Sequence, residues 1–172
     1  VTAMGREALL ALARLRLSSP AALASDPASR ARLWTTRKGL YAAVAGARPS
    51  GTTALLEDIV VPVPALLPTC ERLIELFAKH GYEDNVIFGH AKDGNIHFML
   101  NERLEGGRMD RLMAFTDEMV DLVLGFDGSL KAEHGTGRMM APFVRRQYGE
   151  ELHDVMKEVK KLFDPLGVLN PG

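Results

Sequence analysis

At 172 residues, with 47% hydrophobic and 25% charged residues and a formal net charge of −1, the chain is sized for one globular domain, with room for a small subdomain. That balance excludes a disordered tail, and the lack of a basic stripe argues against nucleic acid as a partner. Cys70 is the only cysteine, which rules out an internal disulfide and fits a reducing, cytoplasmic setting, while no apolar run reaches the roughly 18 residues a transmembrane segment needs.

Helical periodicity runs over about residues 7–17. Arg14 and Arg16 interrupt its apolar face, so it reads as an amphipathic helix and not as a signal peptide. Ser18-Ser19-Pro20 ends it. Asp26-Pro27 then starts a second helix, with Asp as N-cap and Pro at the first helical position. It carries Leu33, Trp34, Arg37, Leu40 and Tyr41 and stops between Gly46 and Pro49. Residues 55–61 read as a buried strand. Pro64 and Pro68 bracket the start of a helix through Leu73, Leu76 and Phe77, closed at His80-Gly81.

Residues 85–90 and 95–100 form two strands, joined at Asp93-Gly94 as a tight hairpin. A helix over 109–124 buries Leu112, Phe115, Met119, Val120 and Val123, and the spacing adds Met109 and Met113 to the core. Residues 125–130 return as a short strand, 131–137 form a polar loop, and helices over 142–148 and 151–163 end at Asp164-Pro165. The order predicts an α+β fold, an antiparallel sheet with helices packed on one face. Residues 1–25 are a helix and linker left from an upstream region, and residues 26–172 are the domain proper. The chain opens without Met and closes on Asn170-Pro171-Gly172, as expected of a piece of a longer protein.

The densest chemistry lies in Gly89-His90-Ala91-Lys92-Asp93-Gly94-Asn95-Ile96-His97. A two-residue turn at Asp93-Gly94 pairs Lys92 with Asn95, Ala91 with Ile96 and His90 with His97. Opposed residues share a face with Cβ atoms about 5 Å apart, within reach of one metal ion. A second cluster, Lys131-Ala132-Glu133-His134-Gly135-Thr136-Gly137-Arg138, is a poor core sequence. Glu133 completes a two-histidine, one-carboxylate site with open positions, and His134 suits a general base near neutral pH. The bland alternatives are two histidines hydrogen-bonded on a sheet surface and a solvated loop.

Together these segments resemble the C-terminal domain of FAD-linked oxidases, the group of D-lactate dehydrogenase, the glycolate oxidase FAD subunit and D-2-hydroxyglutarate dehydrogenase. The resemblance rests on residues 89–97, on Glu-His-Gly-Thr-Gly at 133–137 and on Phe-Asp-Pro-Leu-Gly-Val-Leu-Asn-Pro-Gly at 163–172. Glu57-Asp58-Ile59-Val60-Val61-Pro62 and Trp34-Thr35-Thr36-Arg37 add to it. It implies a ferredoxin-like plait capping a separate, upstream FAD-binding domain. It also implies His90, His97 and Glu133 as ligands of a divalent metal, zinc first, with manganese or iron as alternatives. His134 is then the catalytic base, and Arg37 holds the substrate carboxylate. Asn95 is expected at the flavin or substrate, and Asn170 lies in a terminal motif that packs near the flavin. The substrate implied is a small 2-hydroxy acid.

Arg37-Lys38-Gly39-Leu40 and residues 133–138 look closest to members that also carry iron–sulfur segments, so an iron–sulfur electron-transfer segment is an expected partner. The expected location is cytoplasmic, peripheral to a membrane through the electron acceptor. No phosphate-cradling glycine-rich loop precedes a helix, so this piece alone is expected to be inactive and free of FAD. A hydrolase using the same ligands and a non-catalytic structural domain are the competing readings.

Overall fold

The structure, a computed structural model, describes residues 3–105 and 108–171. It separates into two compact units, one ending at Ala47 and one starting at Arg48. The first holds α1 (Ala3–Leu12) and α2 (Pro27–Gly46). Asp26 caps α2 as expected, its Oδ1 accepting the Ser29 N–H at 2.8 Å, with Pro27 at the first helical position. Neither helix has a fully buried residue.

The second unit runs β1 (Thr53–Val60), α3 (Leu66–Lys79), β2 (Val86–Phe88), β3 (Asn95–Glu102), α4 (Arg108–Gly125), α5 (Gly137–Met140) and α6 (Val144–Phe163). Among the described residues the strands form an antiparallel sheet in the order β1-β3-β2. Side chains alternate between its faces. On one face Ile59, Ile96, Phe98 and Leu100 meet Leu73 and Phe77 of α3 and Phe115, Met119, Val120 and Val123 of α4 in one core. Phe77, Phe98 and Phe115 interlock with ring centroids 5.5–6.0 Å apart. The α+β class with helices packed on one face is therefore as the sequence predicts. The opposite face carries Asp58, Asn95 and His97 in register and becomes the site.

Three expectations need correction. The 125–130 strand is a single bridge, Val60 to Ser129, because α4 runs on to Gly125 and Asp127 turns at φ +54°. That bridge sits on the outer edge of β1, where the last strand of a βαββαβ plait belongs. The hairpin is not a two-residue turn: a 3-10 turn spans Ala91–Asp93, and only Gly94 has positive φ where a type I′ turn needs two such residues. His97 consequently pairs with Phe88 and not with His90. Met109 and Met113 are 44% and 42% exposed, as they lie off the buried stripe of α4. By contrast, the two terminal helices expected over 142–148 and 151–163 are present as the two arms of α6, parted at Gly149, whose φ of 78° leaves helical geometry. No helix of the described residues is long and apolar enough to cross a membrane.

Two features fix the frame around the site. Gly94 sits at φ +71°, and a Cβ there would collide with the Val61 carbonyl oxygen, while the Val61 N–H donates to Gly94 O at 3.0 Å. At the far end of β3, Glu102 is fully buried and held by Arg111 (2.7 and 3.0 Å), the Tyr82 hydroxyl (2.8 Å) and the Arg103 N–H (2.8 Å). The Arg111 guanidinium also lies over the Tyr82 ring, 4.5 Å from its centroid. Burial pushes the Glu102 carboxyl upward, but the bonds from Arg111, Tyr82 and Arg103 outweigh it and hold the group below the ordinary glutamate range.

Gly94→Ala combines backbone strain with a backbone collision, and urea unfolding followed by circular dichroism should show a loss of at least about 2 kcal/mol. Glu102→Gln strips the charge that Arg111 faces. With Arg111 30% exposed on its side chain, the cost should be about 2 kcal/mol, below the 3–5 kcal/mol of a fully buried pair. The Glu102 contribution is complete above the ordinary glutamate range and is lost as pH falls through its depressed folded value. Acid titration of stability should therefore be shallower in Glu102→Gln than in the parent, and equal slopes would remove Glu102 from the account.

Candidate functional site

The site is built from three pieces of chain that meet on the open sheet face. β1 contributes Asp58, β3 contributes Asn95 and His97, and the β2–β3 connection contributes His90. The loop after α4 contributes Lys131, Glu133 and His134. The β2–β3 connection is shaped by its own bonds. Asp93 N–H and Asn95 N–H donate to the His90 carbonyl (2.8 and 3.3 Å), and His90 N–H donates to Asn95 Oδ1 (3.3 Å). Gly89 passes so close to Asn95 that a Cβ would strike its carbonyl oxygen. The register differs from the sequence expectation by two residues, and a shift of two keeps the face. The His90 and His97 rings thus still meet edge to face, 5.7 Å apart.

Glu133 reaches into this pair. Its Oε1 lies 2.9 Å from His97 Nε2, 3.4 Å from His90 Nε2 and 3.8 Å from His134 Nε2. Ligand atoms around a tetrahedral zinc ion with bonds of about 2.0–2.1 Å lie about 3.3 Å from one another. The donor atoms of His90, His97 and Glu133 all fall within 4.8 Å of one another, and so do those of a second set, Asp58, His97 and His134.

Hydrogen bonding separates the two sets. Asp58 is fully buried. Its Oδ2 accepts the N–H groups of Ala132 (3.1 Å), Glu133 (2.7 Å) and His134 (2.8 Å), and its Oδ1 accepts Asn95 Nδ2 (2.7 Å). Three N–H groups fill Oδ2, and on Oδ1 the Asn95 amide takes one position while the other faces His97, so Asp58 has no lone pair to spare for a metal. Burial raises its pKa, but the Glu133 and His134 N–H groups and the Asn95 amide prevail and keep it below the ordinary aspartate range. Glu133 is half exposed.

His97 is buried, and burial, against the pull of Asp58 and Glu133, keeps its pKa below the ordinary histidine value. A neutral imidazole has one N–H. Yet Nε2 faces Glu133, and Nδ1 lies 3.4 Å from Asp58 Oδ1 without forming a hydrogen bond. One N–H cannot satisfy two carboxylates; a cation between Nε2, His90 and Glu133 would. The residues therefore fit a divalent ion on the His90, His97 and Glu133 side.

His134 stacks on His97, ring centroids 4.9 Å apart and 11° from parallel, with its own ring well exposed. Beside His90 and Glu133 opens a cleft of about 560 Å³ that Asp93, Asn95, Ser129 and Lys131 also line. Lys131 Nζ meets the buried Glu57 at 2.5 Å, a second tie between this loop and β1.

The structure thus brings His90, His97, Glu133, His134 and Asn95 together. Arg37 lies on α2 in the first unit, in a groove with Arg30, Leu33 and Trp34. Asn170 is exposed in the terminal segment with φ +47° and is in neither candidate ligand set. Chemical reasoning from the sequence missed Asp58 and Lys131. The available signal was a pair of adjacent acids, Glu57-Asp58, inside an apolar strand, since buried carboxylates need partners.

Comparison with known proteins bears on the family of the chain. The family model described as FAD linked oxidases, C-terminal domain, matches residues 4–172. Glycolate oxidase subunit GlcD of Bacillus subtilis (strain 168) is 32% identical over 142 residues, 81% of this chain and 29% of that protein. D-lactate dehydrogenase of Anaerostipes hadrus is 30% identical over 154 residues, 87% of this chain and 31% of that protein. D-lactate dehydrogenase [cytochrome], mitochondrial, of Arabidopsis thaliana is 31% identical over 157 residues, 87% of this chain and 26% of that protein. The chain spans less than a third of the length of each of these relatives. On the strength of a match along nearly all its length, the chain belongs to the family of FAD linked oxidase C-terminal domains.

Proposed function

We propose that this domain binds and orients the substrate of a flavin-dependent dehydrogenase that oxidises a 2-hydroxy acid, of the D-lactate, glycolate or D-2-hydroxyglutarate class, to the 2-oxo acid. The observation that carries the reading is the convergence of His90 Nε2, His97 Nε2 and Glu133 Oε1 beside the exposed His134. The family and the D-lactate and glycolate enzymes among the relatives support the substrate class.

In this reading His90, His97 and Glu133 hold a divalent ion, zinc first, with manganese or iron as alternatives. When bound, such an ion polarises the 2-hydroxyl and lowers its pKa. FAD, carried by a separate upstream domain, supplies two-electron acceptance. The chain's own residues do the rest. His134 takes the hydroxyl proton at Nε2 as the C2 hydrogen departs with its electron pair. Asn95 shapes the cleft floor by fixing the His90 backbone. Arg37 is assigned the substrate carboxylate, which its planar guanidinium suits. Asn170 is assigned to the flavin side. An iron–sulfur segment as the onward electron carrier completes the proposal on the strength of the motif wording at 37–40 and 133–138, and a cytoplasmic location, peripheral to a membrane through the electron acceptor, goes with the single cysteine.

Elemental analysis of the purified protein should find about one divalent ion per chain, lost in His90→Ala and His97→Ala. Metal content that these changes leave untouched would place the site elsewhere. In the full-length flavoprotein, dye reduction by D-lactate, glycolate and D-2-hydroxyglutarate should rank the substrates. His134→Ala should lower kcat by about 10²–10⁴-fold, the usual worth of a general base. A full-length protein that binds no flavin ends the dehydrogenase reading.

A further inference from the structure

Among the described residues, Asp58 is the one fully buried carboxylate that touches both halves of the site. It stands directly across the β1–β3 ladder from His97, and its side chain has no exposure to solvent. Three consecutive backbone N–H groups, those of Ala132, Glu133 and His134, donate to its Oδ2 at 3.1, 2.7 and 2.8 Å. Asn95 Nδ2 donates to Oδ1 at 2.7 Å, and His97 Nδ1, buried and with no hydrogen-bond partner, lies 3.4 Å from the same oxygen. Single backbone N–H groups on a carboxylate are ordinary turn chemistry. Three in a row from a loop 74 to 76 residues away are not local, and they fix the backbone of the two residues whose side chains do the chemistry.

We infer that Asp58 is the positioning residue of the site, holding Glu133 and His134 through their backbone and His97 through its tautomer. An ionised carboxylate only accepts hydrogen bonds, so the nitrogen of His97 that faces it is the one that carries the proton. That leaves the Nε2 lone pair pointing at Glu133 and His90. The arrangement is the one in which a carboxylate behind a histidine orients it and raises its basicity toward a metal. The inference rests on the metal reading above and deepens it: it names the residue that decides which nitrogen of His97 is available.

Asp58→Asn is the discriminating change because it keeps the shape. The single amide oxygen must occupy the Oδ2 position to accept the three N–H groups of residues 132–134. The amide nitrogen then faces Asn95 Nδ2 and His97 Nδ1. An N–H donated to Nδ1 drives the His97 proton to Nε2, the nitrogen a metal needs.

The test uses the full chain labelled with ¹⁵N-histidine. Metal-free wild-type protein should show His97 protonated at Nδ1 in long-range ¹H–¹⁵N spectra, and Asp58→Asn should show it protonated at Nε2. Zinc affinity, measured by competition with a chromophoric chelator, should fall about 10–100-fold in Asp58→Asn, the usual loss on removing such a partner. A wild-type His97 protonated at Nε2 overturns the inference, and so does zinc affinity in folded Asp58→Asn within threefold of wild type. If Asp58→Asn does not fold, the wild-type spectrum decides alone. Absence of zinc binding by the wild-type protein would instead remove the metal reading on which the inference stands.

Discussion

A carboxylate taken out of water in the middle of a strand must find donors or lose its charge, and Asp58 finds them in the loop 74 to 76 residues further along the chain. That requirement ties β1 to the segment after α4 more specifically than apolar contact could. The Lys131–Glu57 pair repeats the tie one residue away on each side. Together they hold in place a polar, glycine-containing stretch that lacks regular secondary structure from Lys131 to Thr136. Glu133 and His134 acquire fixed positions as a consequence, although both side chains are well exposed.

The sheet divides the work between its faces. One face is closed by α3 and α4 over an aromatic cluster and fixed at its end by Glu102, Tyr82 and Arg111. The other gathers Asp58, Asn95 and His97 in adjacent registers. The alternation of a strand makes this division possible: Ile96 and Phe98 face the core while Asn95 and His97 face the site, within four consecutive residues. The rigidity of the packed face therefore reaches the chemical face directly, through the same backbone.

Much of this was legible in the residues. The N-cap at Asp26, the apolar stripe of α4 and the break at Asp164-Pro165 follow from local chemistry, and the structure has each. The nearness of His90 to His97 was legible too, but through the wrong turn. Asp93-Gly94 suggested a two-residue hairpin, whereas Asn95 folds back on the His90 backbone and a 3-10 turn fills the connection. The pair survived because a two-residue shift preserves the face; a one-residue shift would have separated it. The short strand expected over 125–130 reduced to one bridge because pairing depends on how far α4 runs before the chain turns back.

The sequence by itself determined the α+β class, the helix limits set by Asp26, Gly46 and Asp164, and the residue types of a histidine and carboxylate centre. These depend on period, on capping and on side-chain chemistry, all of which are local. Tertiary structure alone decided which ring nitrogen of His97 faces Glu133, which of two overlapping ligand sets has free lone pairs, and that Asp58 stands behind both halves of the site. Those outcomes depend on hydrogen bonds between residues 58 and 132–134, and no local pattern specifies a bond closed over that length of chain.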